Sequence, residues 1–338
     1  MNAPFRPECD VTASAPVPGA AAEPWPAWPW LVLGVLLAIE AVWLLATPLG
    51  LTGPTAAVLA QLGVMVGTSL FLARRFRGHP RLHALCAGGA FLFAAWPALR
   101  LFNHLTMSLA LPLADARLAG WDRAIGFDWL GYVQWADGHP LLLRAMSFSY
   151  GNLTGYTCLL FLLLALGRNP AQRCRELIAL FLGTALFCTG VGAFFPAVAA
   201  MAYYRPSPEL FTYVGPQTGS YHLAVLEALR NDPAHLFDLS NMPGLVTFPS
   251  FHTAMGVIAI YCARGTHWLF WPMLALNLVM IASTPVLGSH YGIDILAGAA
   301  TALGAIALHR RFGAISSNNT CRIRPGSASS PSAAAPPT

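Results

Sequence analysis

Apolar residues fall in eight blocks, 28–47, 54–73, 83–102, 145–167, 176–195, 250–266, 268–285 and 289–309. Each block approaches the about 20 residues that an α-helix needs to cross a bilayer. The pattern predicts an all-α polytopic membrane protein with about eight transmembrane helices. Two long connections, 103–144 and 196–249, interrupt the series and carry amphipathic patterns of their own. In the first, Leu113, Leu118, Trp121 and Ile125 recur at helical spacing while Asp115, Arg117, Asp122 and Arg123 fall between them, which predicts an interfacial amphipathic helix. In the second, Leu223, Leu226 and Leu229 form one stripe of a predicted helix over Tyr221–Arg230 that roofs the outer face.

Composition sharpens this picture. The 338 residues are 56% hydrophobic and only 10% charged, with a mean hydropathy of +0.56, values that exclude a disordered chain and argue against an ordinary soluble enzyme. The formal charge of +5 comes from arginine alone, since the chain has no lysine, and most arginines stand in short clusters between apolar blocks. That distribution reads as membrane topology rather than as a nucleic-acid surface, so no nucleic-acid partner is expected. Arg74, Arg75, Arg77 and Arg81, then Arg168, Arg173 and Arg175, then Arg264, then Arg310 and Arg311 mark alternate connections as cytoplasmic. Both termini are then cytoplasmic and both long connections lie outside. The seven cysteines are scattered without Cys-x-x-Cys spacing and read as lone packing residues. The Ala/Pro-rich start, 1–27, and the Ser/Pro/Ala-rich end, 313–338, read as disordered tails. Between them, 28–80 forms two accessory spans and 81–312 the core that carries the chemistry. Glu40 stands inside the first span with no evident partner.

Two histidines dominate the candidate chemistry. Phe248–Thr253 reads FPSFHT and Gly288–Asp294 reads GSHYGID, so His252 and His290 each open an apolar block on the same, outer side. Ionisable groups are costly in hydrocarbon, and such residues at helix mouths are functional candidates. A helix N-terminus offers unpaired N–H groups and the positive dipole end, which suit a phosphate. Ser250 after Pro249 fits a helix cap as well as a phosphate contact. His290, Asp294 and Gly298 are spaced i, i+4 and i+8, so Asp294 can orient one nitrogen of His290 while the other faces substrate, and Gly298 lets a neighbouring helix come close. The resulting reading is in-line attack by neutral His290, stabilised by Asp294, with His252 as acid and then base. His104, His139, His222 and His235 read as interfacial side chains.

These motifs, FPSFHT with a downstream GSHYGIDILAG, resemble those of the type 2 phosphatidic acid phosphatase superfamily of lipid phosphatases and phosphotransferases. Within it the chain is most similar to the inositol phosphorylceramide synthase branch and its bacterial relatives, over about 81–310. The resemblance implies a six-helix core, no cofactor and no required metal, a phosphohistidine on His290 partnered by Asp294, an acid/base role for His252 and a phosphate contact at Ser250. It further implies a lipid phosphate substrate, water or an alcohol as acceptor, and a bacterial inner or plasma membrane with the site on the periplasmic or extracellular side. Two cations of the superfamily pattern are missing. Val198 stands where the pattern has a lysine, separated by six residues from Arg-Pro, and Thr284 stands six positions before His290 where an arginine is usual. Arg205, followed by Pro206, is the remaining phosphate-binding candidate, with Arg100 a more distant one. Two other readings stay open: a metal-dependent membrane hydrolase using His252, His290 and Asp294 as ligands, and a transporter with an intramembrane proton relay.

Overall fold

A computed structural model describes residues 25–215 and 217–322, with side chains up to residue 312. Thirteen helices follow one another among the described residues: α1 (Trp28–Ala46), α2 (Gly53–Arg75), α3 (Pro80–Met107), α4 (Asp115–Ala124), α5 (Trp129–Asp137), α6 (Pro140–Gly151), α7 (Leu153–Leu166), α8 (Pro170–Gly192), α9 (Ala200–Tyr204), α10 (Leu223–Asn231), α11 (Phe251–Ala263), α12 (His267–Leu287) and α13 (Gly292–Arg322). Every predicted apolar block is helical, and six helices are long and apolar enough to cross a membrane. The chain is therefore an all-α polytopic membrane protein. The expected tails lie outside the described residues, except for 25–27 and for the backbone of 313–322, which continues α13.

Two blocks differ from their predicted form. Block 145–167 is broken at Asn152 into α6 and α7, bent by 59°. Block 250–266 yields only the 13 residues of α11, because Gly265 turns left-handed at φ +80° and ends the helix early. At 1.5 Å per residue, α11 is about 20 Å long, too short to span hydrocarbon alone.

The described chain divides into two compact units. One comprises the residues up to Phe102, Gly155–Ile178 and Ala234–Met242. Here Trp30 meets Phe91 edge-on at 5.4 Å, and the missing side chain of Gly88 admits the ring of Phe161. A short parallel pair, β1 (Gly50–Leu51) with β2 (Leu236–Phe237), is fastened by Thr55 Oγ1 donating to the Phe237 carbonyl. Arg100 lies 4.7 Å over the Trp96 ring and donates to the Met242 carbonyl, while Glu40 is buried. The apolar side chains left exposed on α1 and α2, among them Leu31, Val35, Val42, Leu45, Val64 and Phe71, form surface suited to lipid.

The other unit comprises Asn103–Thr154, Ala179–Pro233 and the chain from Pro243 onward. Its core gathers Leu118, Trp129, Val133, Met146, Met201, Val286 and Tyr291. α12 is held by side chains of α5 and α6 that bond to its carbonyls: Trp129 Nε1 donates to Pro285 at 3.0 Å, Tyr132 to Ala282 at 2.7 Å, and Ser149 to Leu276 at 2.6 Å. Pro285 has no N–H for the Ile281 carbonyl, and the Thr284 hydroxyl donates to that carbonyl instead, at 2.7 Å.

The amphipathic reading of α4 is corrected. Asp115 and Asp122, placed by sequence on its polar side, are buried within the unit. Asp122 accepts from the N–H groups of Gly292 and Ile293 at 2.9 and 2.8 Å, and Asp115 accepts from Tyr291 Oη at 2.8 Å and the Val198 N–H at 3.0 Å. Asp137 similarly holds the N–H groups of Thr212, Tyr213 and Val214. In α10, Leu226 and Leu229 are buried as the stripe predicts.

Candidate active site

His290 sits in the tight link between α12 and α13. Its N–H donates to the Thr284 carbonyl at 3.2 Å, as does that of Gly288 at 3.0 Å, so Thr284 serves this loop through its backbone. Ser289 is held at φ +56°, its carbonyl accepting from the Ala200 N–H at 2.8 Å and its hydroxyl from the Met201 N–H at 2.5 Å. The strained residue before His290 is thus fixed by α9. Tyr291 and Gly292 are tied down by the α4 carboxylates, so the imidazole is anchored on both sides.

Asp294, in the first turn of α13, is fully buried. Its Oδ2 lies 3.2 Å from His290 Nδ1 and accepts from the Tyr291 N–H at 3.0 Å. On the other edge of the ring, Nε2 lies 3.4 Å from Ser250 Oγ. That oxygen accepts from the Thr253 N–H at 3.3 Å and the Thr253 hydroxyl at 3.2 Å, so its own proton is available to Nε2. The two ring nitrogens thus face different partners, Nδ1 the Asp294 carboxylate and Nε2 the Ser250 hydroxyl. Burial lowers the His290 pKa to about 4 and keeps the ring neutral near pH 7.

α11 carries the second half of the site. Ser250 caps this helix through Thr253, as its position predicts, and its N–H donates to the Asp294 carbonyl at 3.0 Å. A Cβ at Gly298 would stand 2.3 Å from the Ser250 carbonyl oxygen, so only glycine permits this approach of α11 to α13. His252 follows on α11, stacked on Tyr150 at 4.6 Å, with its ring centroid 6.1 Å from that of His290. Tyr150 in turn shares a hydrogen bond with Tyr221.

Of the residues singled out by sequence, His290, Asp294, Ser250 and His252 come together. Arg205 lies apart from them, exposed at the end of α9, donating to the Ala202 carbonyl at 3.2 Å and lining a small cavity with Met201, Pro206, Pro208 and Phe211. The expectation that the α13 N-terminus offers free N–H groups to phosphate is also corrected, since Asp294 and Asp122 occupy those of Tyr291, Gly292 and Ile293. Sequence reasoning missed Asp115 and Asp122, and it read His222 as interfacial although it is buried to 3% exposure. Among the described residues, no group of three or more His, Cys, Asp and Glu side chains is arranged to hold a metal ion.

A buried Asp–His pair thus stands beside a helix-capping serine at the mouths of two apolar helices. The sequence profile of the PAP2 superfamily matches residues 116–308, and the chain belongs to that superfamily. Membership supports a phosphatase-type activity on lipid phosphates. No curated protein and no solved structure matches the chain.

Proposed function

We propose that this protein moves a phosphoryl or substituted phosphoryl group from a lipid phosphate to water or an alcohol through a phosphohistidine at His290. The observation that carries the reading is the line from Asp294 through His290 to Ser250, with the His252 ring beside that of His290, their centroids 6.1 Å apart.

In the first step Nε2 of His290 forms a bond to phosphorus as the phosphorus–oxygen bond to the leaving alcohol breaks. Protonated His252 gives its proton to that oxygen, and Asp294 stabilises the cationic, phosphorylated ring. In the second step His252 takes the proton of water or an alcohol, whose oxygen attacks phosphorus and releases His290. Ser250 serves as a phosphoryl-oxygen contact. Arg205 is a weaker candidate for that role because its contacts lie with α9. The arginine distribution supports a site on the periplasmic or extracellular side, and the motif resemblance to the inositol phosphorylceramide synthase branch favours an alcohol acceptor.

The test is phosphate release and lipid-product formation by the purified chain against phosphatidate, prenyl phosphates and phosphoinositides, with chelator throughout and with His290→Ala alongside. Activity that persists in chelator and disappears in the variant, with an acid-labile phosphoprotein trapped from labelled substrate, is the expected result. Undiminished activity in His290→Ala would overturn the reading.

A further inference from the structure

Three buried polar atoms of the unit that holds the site lack a hydrogen-bond partner among the described residues: Asp294 Oδ1, Thr247 Oγ1 and His222 Nε2. They are not scattered. Asp294 holds His290, the Thr247 backbone bonds with the His290 ring, and His222 is close enough to His290 for the two charges to oppose each other. Unsatisfied buried polar atoms are rare and costly, and of these three the Thr247 hydroxyl and the His222 ring are the ones able to present a proton to a ligand beside His290.

The segment 219–222 is built against this place. Gly219, at φ +71°, lies so close to Ser289 that a Cβ there would meet the serine Cβ at 2.6 Å. Tyr221 bonds to Tyr150, which stacks on His252. Between these two contacts His222 is buried, its ring bonded to the Val198 carbonyl. Since Nε2 is the unpartnered nitrogen, Nδ1 makes that bond as donor. Val198 is the position at which the superfamily pattern has a lysine.

We propose that His222 is a phosphoryl-contact residue of this site, its Nε2 with Thr247 Oγ1 receiving phosphoryl oxygens where other members of the superfamily present a cation. The proposal rests on the phosphohistidine reading and deepens it. With Nδ1–H committed to Val198, Nε2 must carry a proton to bond a phosphoryl oxygen. A monoanionic phosphate supplies it from its own P–OH; for a substituted phosphoryl group it comes from solvent. In either case the bound form is an imidazolium against an oxyanion, a charge-assisted bond. Burial, and then the charge of His290, lower the pKa of His222 to about 4, so the unliganded ring is neutral near pH 7 and takes up its proton only with the anion.

The experiment uses the full-length protein in detergent, with orthovanadate as phosphoryl analogue and with turnover of whichever panel lipid is active. His222→Asn retains an amide near the Nδ1 position for the Val198 carbonyl and removes the Nε2 side. His222→Gln places an amide nitrogen near Nε2, and His222→Lys restores a cation. The expected result is that His222→Asn keeps the melting temperature of the parent, weakens vanadate inhibition about tenfold or more and raises KM, while His222→Gln or His222→Lys recovers part of the loss. Vanadate inhibition and KM unchanged in His222→Asn would overturn the proposal, as would a loss that follows melting temperature alone across the three variants. A parent protein that turns over the lipids while His290→Ala does so equally overturns the underlying reading and this one with it. Dependence on His290 without dependence on His222 overturns only this one.

Discussion

At the scale of single residues, the site separates groups that react from groups that hold them. In the proposed reaction Asp294 orients His290 and stabilises its charged form without touching phosphorus, so Asp294→Asn is expected to cut kcat by about 10²–10⁴-fold with little change in KM, as checked by steady-state kinetics. Ser250→Ala removes the proposed phosphoryl contact and a helix cap together, and the loss expected in kcat is about 10²-fold. Burial sets the pH response: neutral His290 persists above about 4, and its contribution to kcat/KM falls as pH drops through about 4, well below the ordinary histidine value. A pH–rate profile checks this. The residues proposed to react, which the fold brings together, are legible in sequence because Pro-Ser-x-His and His-x-x-x-Asp are short local patterns. The residues that hold them are not. Asp122 bonds 170 positions away and Asp115 bonds 176 positions away, and nothing in the pattern of α4 distinguishes such a carboxylate from one facing water. His222 escapes notice for the same reason, since it is buried and bonded to Val198 rather than to its neighbours in sequence.

At the scale of elements, the nucleophile depends on how α4, α11, α12 and α13 are fastened. Asp122 is the tether of the α13 N-terminus, and Asp122→Ala leaves two buried N–H groups without an acceptor. A loss of about 3 kcal/mol is expected, seen as a lower melting temperature, together with lower activity per folded molecule, because His290 is only two residues from Gly292. Gly298→Ala forces α11 from α13 at Ser250, and overpacking of this kind costs about 1–3 kcal/mol. Its activity is expected to fall more than its stability, measured as turnover against melting temperature, since the same contact sets the distance from Ser250 to His290. The helices themselves are legible from hydropathy, which reads burial in protein and exposure to lipid alike. The break at Asn152 has its signal in the Ser, Gly and Thr residues around it, which a reading by apolar blocks averages over. The early end of α11 has its signal in Gly265 and its polar neighbours Arg264, Thr266 and His267.

At the scale of the whole molecule, exposed apolar surface, arginine clusters and a buried histidine pair describe a protein whose stability is linked to protons. His290 and His222 both have folded pKa values near 4 against an ordinary 6.5. The unfolded chain therefore binds these protons more readily, and stability present above about 6.5 is lost as pH falls toward about 4. Melting temperatures in detergent across that window are expected to fall with acid, and less steeply in His222→Asn than in the parent. The contact at Gly298 has a final consequence for traffic through the membrane. Where the Ser250 carbonyl meets a residue without a side chain there is no crevice for an acyl tail, so α11 and α13 are closed to lipid at that point. A headgroup bound at His290 does not enter between Ser250 and Gly298.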